Sequence, residues 1–214
     1  DASAEITLFN VGNRSFVEPA ILTNGKLCEN CHNFTGLTDS TVRFNVTHFT
    51  NYSISNLPLD CKTLNRTSFR YEMVEDLSGS LTCFTIAGEN ITLDCNGYTI
   101  TYGVGASGYG VNVNNVGNAT IQDCTLQDGR SSNSKAHAIL ASGSGNNTII
   151  RNNITTISPS SHGIFSNSSN NNITGNNVTT TSTGTGIHLE DGRDNVIYKN
   201  TVSTTSTSGG GIGL

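Results

Sequence analysis

One phrase returns at a fixed distance in the second half of the chain. "NTIIRNNI" (Asn147–Ile154) is followed 24 residues on by "NNITGNNV" (Asn171–Val178), and 24 further on by "NVIYKNTV" (Asn195–Val202). Ile149, Ile173 and Ile197 fill one column. Asn152, Asn176 and Asn200 fill a second, and Ile154, Val178 and Val202 a third. A weaker copy lies 28 residues upstream, where Thr120, Ile121, Cys124 and Leu126 match Thr148, Ile149, Asn152 and Ile154. An earlier one reads "NITLDCNGYTI", Asn90 to Ile100. Between these runs a second set, "YGVNV", "HAIL", "HGIF", "TGIHL" and "GGIGL", places Gly110, Ala138, Gly163, Gly186 or Gly211 before a β-branched residue.

A period in the twenties with short alternating segments is the mark of a solenoid. The leucine pattern of leucine-rich repeats is missing, and helical repeats need 3.6-residue periodicity in longer units. The pattern predicts an all-β chain dominated by a parallel β-helix, whose coils stack about 4.8 Å apart. Inward Ile and Val then fill one layer per coil. Asn152, Asn176 and Asn200 are expected to turn inward and hydrogen-bond from coil to coil as a ladder. Low charge fits: only 13% of residues are charged, and identical columns would stack like charges on one another.

The stretch "DCKTLN", "TCFTIAGENITLDCNGYTITYG" and "NATIQDCTL" resembles the opening coils of pectate-lyase-like right-handed parallel β-helix proteins. Their periplasmic copper-accessory type and large archaeal surface proteins are the nearest in character. The resemblance covers roughly Leu59 to Leu214. It implies a secreted or surface fold that handles or contacts polysaccharide, and does not by itself imply catalysis.

Residues 1–57 read differently, as a small β module joined near Pro58 to the β-helix of residues 58–214, with about five or six coils. Val42, Phe44 and Val46 alternate with Arg43, Asn45 and Thr47, as in a half-buried strand. Turns are expected at Gly12-Asn13, Asn24-Gly25 and Leu37 to Asp39. In the archaeal surface proteins that the chain resembles, a phrase like the one from Phe44 to Tyr52 closes a small β-sandwich.

Six cysteines point to an oxidising compartment. Cys95 and Cys124 fall in one column of neighbouring coils and are expected to pair; Cys61 and Cys83 bracket the coil before. Cys28 and Cys31 form a local disulfide or, with His32 and His48, a zinc site. Sequons start at Asn13, Asn33, Asn45, Asn51, Asn65, Asn90, Asn118, Asn146, Asn153, Asn167, Asn172 and Asn177. An Asn- and Thr-rich repeat makes some by accident. Of the ten asparagines up to Asn90, however, six start one, against about two or three by chance. Covalent glycans are therefore expected, on an extracellular or cell-surface protein. The chain opens on Asp1 with nothing like a leader, which suggests a processed product.

The net charge of −5 offers no basic stripe for nucleic acid, and no apolar run approaches the roughly 20 residues of a membrane span. Enzymes of this fold need carboxylates clustered on one face, with Ca²⁺ or an Arg base in lyases. Asp123 is instead followed in its column by Arg151, Gly175 and Lys199, which reads as a surface salt bridge. "EDGRD", Glu190 to Asp194, reads as a solvated loop. His137 and His162 share a column and can stack; Tyr98, Tyr102 and Tyr109 either line a sugar-stacking strip or fill wide early coils. No cofactor, metal or catalytic residue is assigned. The expected role is that of a structural subunit, with a polysaccharide-acting enzyme or a carbohydrate-binding, adhesive module as alternatives. The repeat stops within "GGIGL". Self-association is expected head to tail, with Ile212 and Leu214 meeting the apolar strand of Ile6, Leu8 and Phe9 in the next copy.

Overall fold

The computed structural model describes residues 3–12, 16, 19–24, 26–48, 50–56, 60–130, 135–206 and 208–214. The chain divides into two compact units, Asp1–Pro58 and Leu59–Leu214. The turn residues Asn13 and Gly25 and the junction at Pro58 lie outside the described residues.

In the second unit three parallel sheets run the length of a solenoid. The first contains Thr63–Leu64, Phe84–Ile86, Val111–Asn114, Ile139–Ser142, Ile164–Ser166, Ile187–Leu189 and Ile212–Gly213. The second contains Arg70–Glu72, Thr92–Asp94, Thr120–Gln122, Thr148–Ile150, Asn172–Thr174 and Val196–Tyr198. The third contains Leu77–Ser78, Thr99–Tyr102, Thr125–Asp128, Asn153–Thr156, Asn177–Thr180 and Thr201–Thr204. One strand from each sheet makes a coil, and about six coils stack.

The repeated columns are the register. Ile121 pairs with Ile149, Ile149 with Ile173, and Ile173 with Ile197. Leu126, Ile154, Val178 and Val202 follow the same rule in the third sheet. Because strand side chains alternate in direction, each strand sends its apolar residues inward. Ile121, Ile149, Ile173, Leu126, Ile154 and Val178 are all fully buried in one continuous core. Phe84, Leu93, Ile100 and Tyr102 fill the wider early coils. Tyr102 is buried and its hydroxyl donates to Ala136 O at 3.2 Å. It therefore belongs to the core, and the sugar-stacking strip with Tyr98 and Tyr109 does not form.

Corners between sheets are turned by residues with positive φ. Before the second sheet these include Ser68, Asn90, Asn118, Asn146, Asn170 and Asp194; before the third they include Asn96, Asp123, Arg151, Gly175 and Lys199. The left-handed conformation costs an ordinary side chain roughly 1–2 kcal/mol. Asn and Asp tolerate it best, which is why they dominate the first set; in the second they share the place with Arg151, Gly175 and Lys199.

The first unit holds two three-stranded antiparallel sheets. One is Ala4–Phe9, Thr41–Val46 and His32–Asn33; the other is Lys26–Leu27, Pro19–Thr23 and Tyr52–Asn56. Val42, Phe44 and Val46 are buried and share a core with Ile21, Ile54 and Tyr52 from the second sheet. Ile6 and Leu8 pack against this same core, while Phe9 is 72% exposed. Alternation along the strand leaves Ile6 and Leu8 half-buried against the module's own core and turns Phe9 to solvent.

All three expected disulfides form: Cys28–Cys31, Cys61–Cys83 and Cys95–Cys124. With Cys28 and Cys31 bonded to each other, the zinc alternative with His32 and His48 has no thiolates.

Candidate functional site

The surface chemistry of the solenoid begins at its two asparagine columns. Asn152 and Asn176 are buried beside the third sheet. Asn176 Oδ1 accepts from the backbone N–H and from the side-chain amide of Asn152, at 3.0 and 2.9 Å. Asn200 does the same for Asn176, at 2.8 and 2.9 Å. Each amide also donates backwards, Asn152 to Ile121 O at 3.0 Å, Asn176 to Ile149 O at 2.9 Å and Asn200 to Ile173 O at 2.7 Å. The column continues upward as Cys124 and Cys95, so a disulfide takes over where the amides stop.

A second ladder, not foreseen from the sequence, runs beside the second sheet. Asn147 Oδ1 accepts from Ala119 N, Asn171 Oδ1 from Asn147 N, and Asn195 Oδ1 from Asn171 N, at 3.0, 3.0 and 2.8 Å. Its signal was in the repeated phrases themselves, each of which begins on a ladder residue.

The sequons fall on the other side of this division. Asn33, Asn51, Asn65, Asn90, Asn118, Asn146, Asn153, Asn167, Asn172 and Asn177 are exposed, and Asn45 is half-buried. Asn13 lies outside the described residues. The four asparagines buried among the described residues, Asn147, Asn152, Asn171 and Asn176, start no sequon. Three Asn-Asn pairs thus split their work, the first residue held inside and the second turned to solvent at Asn153, Asn172 and Asn177.

Asp123 and Arg151 stack as expected. The guanidinium meets the carboxylate through Nε and Nη2 at 2.8 and 2.7 Å. This fork, with help from Gln122, holds the Asp123 carboxyl below its ordinary range despite some burial. Both side chains stay partly exposed, so the pair adds little stability.

The cluster is larger than the column suggested. Asp94, nearly buried, bonds Arg70 from the coil above, and accepts from Asn96 N at 2.9 Å. Gln122 Nε2 bridges the two acids, at 2.8 Å to Asp94 and 3.1 Å to Asp123. Arg70 also meets Glu72 at 2.6 Å. Two ion pairs, Arg70–Asp94 and Asp123–Arg151, joined through Gln122, therefore staple four successive coils. Asp94, Asn96, Asp123, Thr125, Arg151 and Asn153 line a recess of about 390 Å³ over it. Two carboxylates on one face is what a glycosidase of this fold requires. Here each is tied to its own guanidinium, and the lowered Asp123 is unsuited to donate a proton to a leaving group.

"EDGRD" is a loop in which Glu190, Asp191, Arg193 and Asp194 are exposed. His137 and His162 stack, with ring centroids 4.9 Å apart. Ile212 and Leu214 are 50% and 92% exposed. Among the described residues no group of three or more His, Cys, Asp or Glu could hold a metal, and no helix is long and apolar enough to cross a membrane.

Compared with known protein families, residues 82–214 match the one described as right handed beta helix region. No curated protein and no solved structure matches the chain.

Proposed function

The chain belongs to the right-handed β-helix family, and from that premise we propose that it serves as a structural subunit of a glycosylated extracellular or cell-surface assembly. One observation carries this reading: the division of asparagines into a buried ladder set that starts no sequon and an exposed set that does. Glycans on the exposed set would coat the solenoid without touching its core. Three disulfides fit an oxidising compartment. The charged cluster supports the same reading, since its acids and guanidiniums satisfy one another across coils.

Head-to-tail growth is part of the proposal. The strand Ala4–Phe9 stands at the margin of its sheet with Phe9 exposed, and a sheet margin offers unpaired backbone groups to an incoming strand. Ile212 and Leu214 would supply the opposing apolar contact.

Asp94 and Asp123 in one recess favour a polysaccharide-acting enzyme as the second reading. Intact mass spectrometry of native material, paired with depolymerisation assays on acidic and neutral polysaccharides, separates the two. The structural reading expects a mass well above the 22.6 kDa polypeptide and no cleavage. A mass equal to the bare chain, or cleavage abolished by Asp94→Asn, overturns it.

A further inference from the structure

The corner that leads into the first sheet carries a stack of rings that neither the ladders nor the charged cluster involves. His137 and His162 lie one above the other at 4.9 Å, and His188 from the first sheet continues the stack 4.7 Å from His162. Tyr109 closes it over His137 at 5.8 Å, and Phe165 lies against all three imidazoles at 5.1 to 5.6 Å.

The imidazoles also take part in the backbone. His137 Nδ1 accepts the N–H of His162, and His162 Nδ1 accepts the N–H of Thr185, both at 2.9 Å. Two side chains therefore act as hydrogen-bond acceptors between three successive coils. Two coils earlier the same place is taken by a hydroxyl: Thr82 Oγ1 accepts from Tyr109 N at 3.1 Å.

We propose that His137 and His162 form a proton-operated clasp, which holds these corners together at neutral pH and opens them in acid. Protonation at Nδ1 uses the lone pair that accepts the N–H, and so sets donor against donor. It also places a cation within a ring stack whose charged neighbours are unhelpful. Lys135 and the imidazole of His188 face the pair; Tyr109 and Ser160 are neutral; among the described residues Glu190 is the one acid lining the same hollow, and it is exposed. Burial, with the neighbouring imidazoles and Lys135, pushes His137 down to about 3. Burial, with His188, pushes His162 down to about 4.

Because both folded values lie below the ordinary 6.5, the open form binds protons first. The closed corner is at full strength above about pH 6.5 and weakens as pH falls toward the folded values. Between about pH 7 and pH 4 the opening equilibrium should rise on the order of a hundredfold at each clasp.

Hydrogen exchange at the amides of His162 and Thr185, corrected for intrinsic chemistry, reads this directly. In the full chain protection should fall by about that factor between the two pH values. The double variant His137→Thr, His162→Thr keeps an acceptor of the kind Thr82 supplies but cannot titrate, so its protection should not change. Unchanged protection in the natural chain, or an equal fall in the variant, overturns the proposal. Should the variant not fold, NMR titration of the natural imidazoles decides: midpoints below about 5 support the clasp, and midpoints near 6.5 refute it.

Discussion

Replacing Asn176 with leucine is expected to cost about 4 kcal/mol, enough to lower the melting temperature by roughly 10 °C. The buried N–H of Asn152, which donates to Asn176 Oδ1, would lose its partner, and the carbonyl of Ile149 would lose the bond it accepts from Asn176 Nδ2. The side-chain amides of Asn152 and Asn200 would each lose one bond as well. Leucine fills the volume but restores none of these. The neighbouring Asn177 gives the control. It is exposed and shares only a side-chain bond of 3.0 Å with exposed Asn153, so Asn177→Leu should change stability by less than about 0.5 kcal/mol. Thermal or denaturant unfolding of the two variants checks the contrast. Equal losses would mean that the buried column is misplaced by one residue.

A single methyl group at Gly184 is expected to do comparable damage, roughly 4 kcal/mol or more. Gly184 lies directly against Ser161 of the preceding coil. A Cβ built on it would fall 1.7 Å from Ser161 O and 2.5 Å from Ser161 C. Both are backbone atoms, and Ser161 is itself anchored, its Oγ accepting from Ala136 N at 2.8 Å. The strain can be relieved only by separating the coils. At Gly211 a Cβ would meet nothing within 4 Å, so Gly211→Ala should be nearly neutral. Unfolding measurements on this pair test whether coil spacing, rather than glycine's conformational freedom, dictates the residue at Gly184.

The period carried most of the fold. Once Ile149, Ile173 and Ile197 were recognised as one column, coil length, strand register and the inward direction of Asn152, Asn176 and Asn200 followed from alternation alone. The disulfide Cys95–Cys124 followed from the same column. Three features were hidden for physical reasons. The ladder of Asn147, Asn171 and Asn195 stood in plain view, but the adjoining Asn146 and Asn172 belong to sequons, and a sequence does not say which member of an Asn-Asn pair turns inward. Asp94 bonds an arginine 24 residues before it and a glutamine 28 residues after it; such partners are visible only when coil lengths are aligned through the early, irregular repeats. His188 sits on the outward face of its strand, three residues past the position that aligns with His162, so the column of His137 and His162 does not reveal the third ring. In the first unit, alternation placed Val42, Phe44 and Val46 correctly. The same rule applied to Ala4–Phe9 half-buries Ile6 and Leu8 and exposes Phe9.

A structural subunit must build something. Electron cryomicroscopy of the native material images that directly. The structural reading predicts ordered assemblies, in which coils stack along each subunit and glycan density projects from the exposed sequon asparagines, such as Asn153 and Asn177. Isolated, unglycosylated particles at high concentration would contradict it.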